Sequence, residues 1–276
     1  MPWNAQLHIN YTLEDGKTVA RHLHTGPLRV LQSLYPDSPA VCHNVLVHPP
    51  GGLVGGDTLD ITVQSASGSH GLITTPGATR FYRSEGLSAR QSTQLQLATG
   101  ARLEWLPLEA LCYSGCLAEN HLMMELAPEA ELIAWDVSAL GLPHANLPFV
   151  DGRLHQRLEI PGVWLESGAL DARDTRLLDG PAGLAGQRCM ATLLFASGTA
   201  LGRERRQLAL DCVRDVIHTH PLAATSGATS PHARVVVVRV LAPVVEPVME
   251  LLRSLRRTWR EHLWGKTTPD PRIWST

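Results

Sequence analysis

The chain has 276 residues, 44% of them hydrophobic and 18% charged, with a formal net charge of −2 at pH 7. That is the balance of a globular protein long enough to bury a core. The near-neutral charge argues against a nucleic-acid binder, which carries a basic face, and no run of roughly 18 apolar residues offers a membrane span. Met1 to Asn10 has no basic region leading into an apolar run and does not read as a signal peptide. Five cysteines, an odd and sparse set, point to reduced thiols and a cytoplasmic protein.

In chain order, the first two-thirds reads as strands. Leu59, Ile61 and Val63 alternate after Asp57, and Leu95 and Leu97 alternate within Gln91–Thr99. Leu103 and Trp105 follow one Gly-Ala turn later, then Leu122, Met124 and Leu126, then Leu132 and Ala134. Leu154, Leu158 and Ile160 keep the period of two, and Val163 and Leu165 follow a Pro-Gly turn. Short alternating runs broken by Gly, Pro, Ser and Asn predict an all-β-dominated architecture over residues 1–200.

Two helices are predicted beyond that point. Residues 204–218 carry apolar Leu208, Val213 and Ile217, and residues 244–264 repeat Val245, Val248, Leu252, Leu255, Trp259 and Leu263 at helical spacing. Arg253, Arg256, Arg257 and Arg260 share one side of the second helix. They are either the solvated basic edge of a packed helix or a surface that docks a partner. Thr219–Ser230 reads as a loop of small residues, and residues 233–240, with the valines of Val235–Val240, as a buried apolar strand. Everything fits one domain over 1–276.

Motifs of chemistry are mostly absent. Gly51–Thr58 reads GGLVGGDT, a phosphate loop except that Asp57 stands where lysine is required, and a carboxylate there repels phosphate. Gly265-Lys266-Thr267 ends like such a loop but has Arg260 in place of its first glycine. There is no G-x-G-x-x-G, H-E-x-x-H, C-x-x-C or G-x-S-x-G. Cys112 and Cys116 are four apart, the spacing of one helical turn, and are either buried thiols or a metal pair. Among 13 histidines, the pairs His22/His24 and His218/His220 would point the same way if they lay on strands, and could then share a metal.

Four segments are more specific. His48-Pro-Pro-Gly-Gly-Leu-Val-Gly-Gly-Asp57 is followed by Leu72-Ile-Thr-Thr-Pro-Gly-Ala-Thr-Arg-Phe-Tyr-Arg-Ser-Glu-Gly86, then by Leu103-Glu-Trp-Leu-Pro107 with Glu109. The chain closes with Trp264-Gly-Lys and Pro271-Arg-Ile-Trp-Ser-Thr276. In this order the segments resemble the urease accessory protein UreD (UreH) family, from about Leu28 to the C-terminus. Leu108 before Glu109, the two cysteines of Ala110–Cys116 and the weakly matching Asp171–Gly186 depart from the family pattern.

The resemblance implies stacked, β-helix-like sheets of mixed direction with about two helices near the C-terminal end. It also implies a non-enzymatic scaffold that forms a complex with UreF, UreG and apo-urease, with room for two copies of the chain in the assembly. UreG supplies GTP hydrolysis and delivers nickel, so this chain holds no tightly bound cofactor and meets nickel only in transit. Physical reading of the residues then selects Asp57, Ser84, Asp136 and Glu166. Each is a polar group embedded in or beside an apolar β segment, where it either closes a turn through hydrogen bonds or lines a polar passage for a divalent cation. Two other readings stay open: a metal-dependent enzyme built on His48, Asp57 and a distant histidine, and a passive nickel store, which would want a His or Cys tract the chain lacks.

Overall fold

The alternating segments fold into strands that stack in register. The computed structural model describes residues 2–267 and 270–275; the last residue of the family-like tail, Thr276, lies outside them. In chain order the strands are β1 (Asn4–Glu14), β2 (Lys17–Thr25), β3 (Arg29–Val30), β4 (Val41–Val47), β5 (Thr58–Ser65), β6 (His70–Thr74), β7 (Thr79–Phe81), β8 (Ala89–Leu97), β9 (Arg102–Leu106), β10 (Ala110–Cys112), β11 (Cys116–Leu126), β12 (Glu131–Leu142), β13 (Leu147–Pro148), β14 (Gly152–Ile160) and β15 (Trp164–Asp171). After them come α1 (Thr175–Asp179), β16 (Cys189–Ser197), α2 (Arg203–His218), β17 (Ser226–His232), β18 (Val235–Ala242) and α3 (Val245–Trp264).

The strands form two facing sheets. The first has the order β15-β14-β11-β8-β5-β1-β2; the main path of the second is β17-β18-β16-β12-β9-β6-β4-β3. Successive turns of chain lay β5, β8, β11 and β14 parallel in the first sheet and β6, β9 and β12 parallel in the second, a β-solenoid of about four turns. With 48% strand and 19% helix, the β-dominated, stacked class expected from the sequence is the class observed. Among the described residues no helix is long and apolar enough to cross a membrane.

Period two divides each strand of the second sheet between two cores. Leu132 and Ala134 of β12, Leu194 of β16 and Val237 of β18 face the first sheet, where they meet Leu95, Leu122 and Leu158. Ile133, Trp135, Leu193, Phe195 and Val238 point the other way, beneath Val213 of α2 and Leu252, Leu255 and Trp259 of α3. The α3 helix stops at Gly265, whose φ of 63° places it in the left-handed region. There Lys266 N–H donates to Arg260 O at 2.9 Å and Gly265 N–H to Glu261 O at 3.0 Å, closing the last turn.

Several local expectations change. Ser226–His232 is a strand, where a loop of small residues was expected. It is a mostly exposed edge strand, so it has no apolar alternation to read. Leu208 is 41% exposed, and α2 packs through Ala209, Leu210, Cys212, Val213 and Ile217 instead. On β15 the residues facing inward are Trp164 and Glu166, while Leu165 is 54% exposed. Cys112 and Cys116 flank a turn between β10 and β11 and lie on no helix. Val235–Val240 is not apolar throughout, because Arg239 interrupts its inward face.

The basic edge of α3 is the largest correction. Arg256 and Arg260 are buried, not solvated. Arg256 Nε donates to Glu104 Oε2 at 2.7 Å and Arg260 Nη1 to Glu104 Oε1 at 2.6 Å. Asp37 also pairs with Arg260, Asp270 with Arg256, and His70 Nε2 lies 3.2 Å from Glu104. A charge survives burial only when paired and hydrogen-bonded, and this network meets that condition. Arg253 and Arg257 are the two of the four that reach the surface; Arg257 is exposed and pairs with Asp270.

Candidate functional site

Between the two sheets, one layer of inward positions is polar. In the first sheet Gln91 of β8, Asn120 of β11 and Gln156 of β14 stand side by side in register. In the second, Asp136 of β12 and Thr192 of β16 do the same, and the row ends at Arg239 of β18, which is exposed at the open edge of the layer. Parallel stacking of β8, β11 and β14 repeats the inward phase on each turn, and the antiparallel pairings of β12, β16 and β18 keep it too, so one polar residue per strand builds each row.

The two rows meet at Asp136. Asn120 Nδ2 donates to Asp136 Oδ2 at 2.6 Å, Gln156 Nε2 donates to Oδ1, and Ser138 Oγ lies 3.4 Å from Oδ1. Burial pushes the Asp136 carboxyl up to about 6; the bonds from Asn120, Gln156 and Ser138 pull it down, and the Glu166 charge pushes it up again. Glu166 reaches the same layer from the edge strand β15. It pairs with Arg239, and Thr192 Oγ1 donates to its Oε1 at 3.4 Å. Asp136 and Glu166 therefore sit on either side of Thr192, close enough to repel each other.

The other two candidates lie in the Gly-rich loop region. Asp57 is buried, with Oδ1 accepting from Trp3 N–H at 2.7 Å and Oδ2 from Val54 N–H at 2.9 Å. Ser84 Oγ donates to Leu87 O and accepts from Gly86 N–H at 3.2 Å. Both side chains close turns. The glycines between them are required by contact: a Cβ on Gly52 would stand 2.3 Å from the Tyr82 ring, and one on Gly55 2.3 Å from Ser84 Oγ. The structure thus brings Asp136 and Glu166 together, puts Asp57 and Ser84 on neighbouring loops, and separates the two sets.

Two cavities adjoin the polar layer. One, of about 20 Å3, is lined by Asp136, Asn120, Thr93, Gln91 and Thr79; it has room for about one water. Thr93 Oγ1 is buried there with no hydrogen-bond partner among the described residues. The other, of about 250 Å3, shares Gln91 and Thr79 with the first and is lined also by His48, Gly51 and Arg80. His48 is lowered from its ordinary pKa by burial, against the opposing pull of Asp57, and its Nε2 is buried with no hydrogen-bond partner among the described residues. So the residues His48, Gln91, Asn120, Asp136, Thr192 and Glu166 offer a succession of nitrogen and oxygen groups. None is a thiolate, and such a set suits brief contact with a borderline or hard divalent ion. Among the described residues no three His, Cys, Asp or Glu side chains close around one point, so the layer offers no tight metal site.

Gln91, Asn120, Gln156, Thr192 and Arg239 escaped the sequence reading, although the sequence carries their signal. Each occupies the inward phase of its strand: Asn120 stands two before Leu122, Gln156 two before Leu158 and Thr192 two before Leu194. His22 and His24 are exposed, with ring centroids 6.4 Å apart, and His24 Nδ1 is engaged by Arg29. His218 closes α2 and is not on a strand.

A family profile described as UreD urease accessory protein matches residues 4–275. The chain belongs to the UreD family. It is 63% identical over 275 residues to the urease accessory protein UreD of Polaromonas sp. and 64% identical over 275 residues to that of Paracidovorax citrulli, with 100% of each chain covered in both cases. The UreD protein of Leptothrix cholodnii is 52% identical over 278 residues. These relatives are named as accessory proteins of urease, which fits a non-enzymatic role in urease maturation.

Proposed function

We propose that this chain is a cytoplasmic maturation scaffold that joins UreF, UreG and apo-urease in one complex. In that complex the polar layer between its sheets guides nickel towards the urease active site while UreG hydrolyses GTP. The observation that carries the reading is the pair of facing polar rows, Gln91–Asn120–Gln156 over Asp136–Thr192–Arg239, with two adjoining cavities, in a chain of the UreD family. Burying such a layer costs stability that an apolar layer would not, and a transported cation gives that cost a purpose. Nickel is cargo here and no cofactor is held. Asp136, Glu166 and His48 would meet the ion along the layer; Asp57 and Ser84 would hold the loops beside it. Partner docking falls to the outside of α3, where Arg253 and Arg257 reach the surface.

The test is co-expression of UreF, UreG and apo-urease with and without this chain, scored by pull-down and by nickel per urease active site. Scaffold function predicts that the complex and most of the nickel are lost without it. Full nickel loading in its absence would overturn the reading.

A further inference from the structure

Directly behind the amide row, on the opposite face of the same two strands, stands a pair of imidazoles. On β11 the inward Asn120 is followed by the outward His121, and on β14 the inward Gln156 is preceded by the outward His155. The two rings are diagonal neighbours across the parallel pair, and His121 Nε2 lies 3.3 Å from His155 Nδ1. The rings meet edge to face, with centroids 5.4 Å apart and an interplanar angle of 88°.

We infer that His121 and His155 form a chelating site for a divalent first-row transition ion on the outer face of the first sheet. Two imidazole nitrogens held at about 2.0–2.1 Å from one ion stand roughly 3.3 Å apart when the geometry is tetrahedral and about 2.9 Å when it is octahedral. The observed separation lies in that range, and the rings would turn so that both nitrogen lone pairs converge on one ion instead of facing each other. Imidazole suits nickel, copper and zinc. His121 is partly buried. Charges around it are mixed: Glu119 of β11 favours a cation, while Arg90 of β8 and Arg157 of β14 oppose one. Glu119 stands opposite His155 in register. Since no third ligand closes on the pair among the described residues, water completes the shell and the ion exchanges readily. The site is separate from the layer proposed for nickel passage, because its side chains leave the strands on the other face.

The full chain, free of any histidine tag and stripped with chelator, is titrated with Ni2+ and separately with Zn2+ by calorimetry at pH 7.5. One binding event should weaken at least tenfold in His121→Ala and in His155→Ala, and at pH 5.5, while His22→Ala/His24→Ala retains it. Equal stoichiometry and affinity in wild type, His121→Ala and His155→Ala would overturn the site. A second measurement needs no variant: diethyl pyrocarbonate modification of the wild-type chain is mapped by mass spectrometry with and without Ni2+. His121 and His155 should be protected by the ion while His22 and His24 react regardless. Absence of protection would equally overturn the inference.

Discussion

Replacing Glu104 by Gln should lower the melting temperature more than any surface charge change. Glu104 and Arg256 have fully buried side chains and Arg260 is 1% exposed. Removing the carboxylate charge leaves two guanidinium groups under α3 without their shared partner. Breaking a buried pair from one side costs about 3–5 kcal/mol. Each arginine keeps a second carboxylate, Asp270 for Arg256 and Asp37 for Arg260, which puts the change at the lower end, about 3 kcal/mol. At roughly 2–4 °C per kcal/mol for a chain of this size, Tm should fall by roughly 6–12 °C. Differential scanning calorimetry at pH 7.5, with the urea midpoint as a second readout, measures it. Glu14→Gln, which breaks an exposed pair with Arg21, serves as the control and should leave Tm unchanged. Burial alone would raise the Glu104 pKa, but Arg256, His70 and Arg260 outweigh it and hold the carboxyl well below its ordinary 4.5. A depressed folded pKa means that the contribution is complete above pH 4.5 and is lost as pH falls through the folded value. The gap between wild type and variant should therefore narrow only on acidification below that point. A shift under about 2 °C with an unchanged urea midpoint would refute the electrostatic account of α3.

Asp136 has the opposite sign. Its pKa is raised from 3.8 to about 6, so the folded state binds the proton first and stability falls as pH rises through that window. Melting between pH 4 and 7 should show this loss in wild type and a flatter profile in Asp136→Asn. Gly52→Ala drives a Cβ into the Tyr82 ring and should cost about 1–3 kcal/mol by overpacking, read from the urea midpoint; a neutral result would mean that the His48–Asp57 loop is not close-packed. Truncation after Pro243 removes Leu252, Leu255, Trp259 and Trp264 from the core beneath the helices. The product should be insoluble or fail to join the accessory complex, and a soluble, competent truncation would contradict the packing.

What the sequence showed depended on whether a residue's partner was near in the chain. Leu122 and Met124, or Leu132 and Ala134, announce their strand and its inward face through the period of two alone. Asp136 was visible as a carboxylate inside an apolar strand, but its partners were not: Asn120 and Gln156 come from other turns of the solenoid, 16 and 20 positions away. Taken one strand at a time, Gln91 or Asn120 is a lone polar residue on the inward phase of its strand. The row appears only when the parallel register stacks them. Asp57 and Ser84 are a mixed case: Ser84 and one Asp57 oxygen bond backbone two or three positions away, while the other Asp57 oxygen accepts from Trp3 N–H, 54 positions away. Arg256 and Arg260 were misread because arginine on a helix ordinarily faces water. Their shared partner, Glu104, lies more than 150 positions earlier, 152 for Arg256 and 156 for Arg260.

The central claim is that nickel travels along the polar layer, and the direct measurement is nickel per urease active site after co-expression with an Asp136→Asn/Glu166→Gln variant. These changes remove two charges and keep side-chain volume, but they also cost one acceptor at position 136 and the Glu166–Arg239 pair, so recovery of the complex and the melting temperature are measured on the same variant. The account predicts an intact complex and a severalfold drop in urease nickel. An intact complex with fully loaded urease, or loss of the complex and the nickel together, would contradict it.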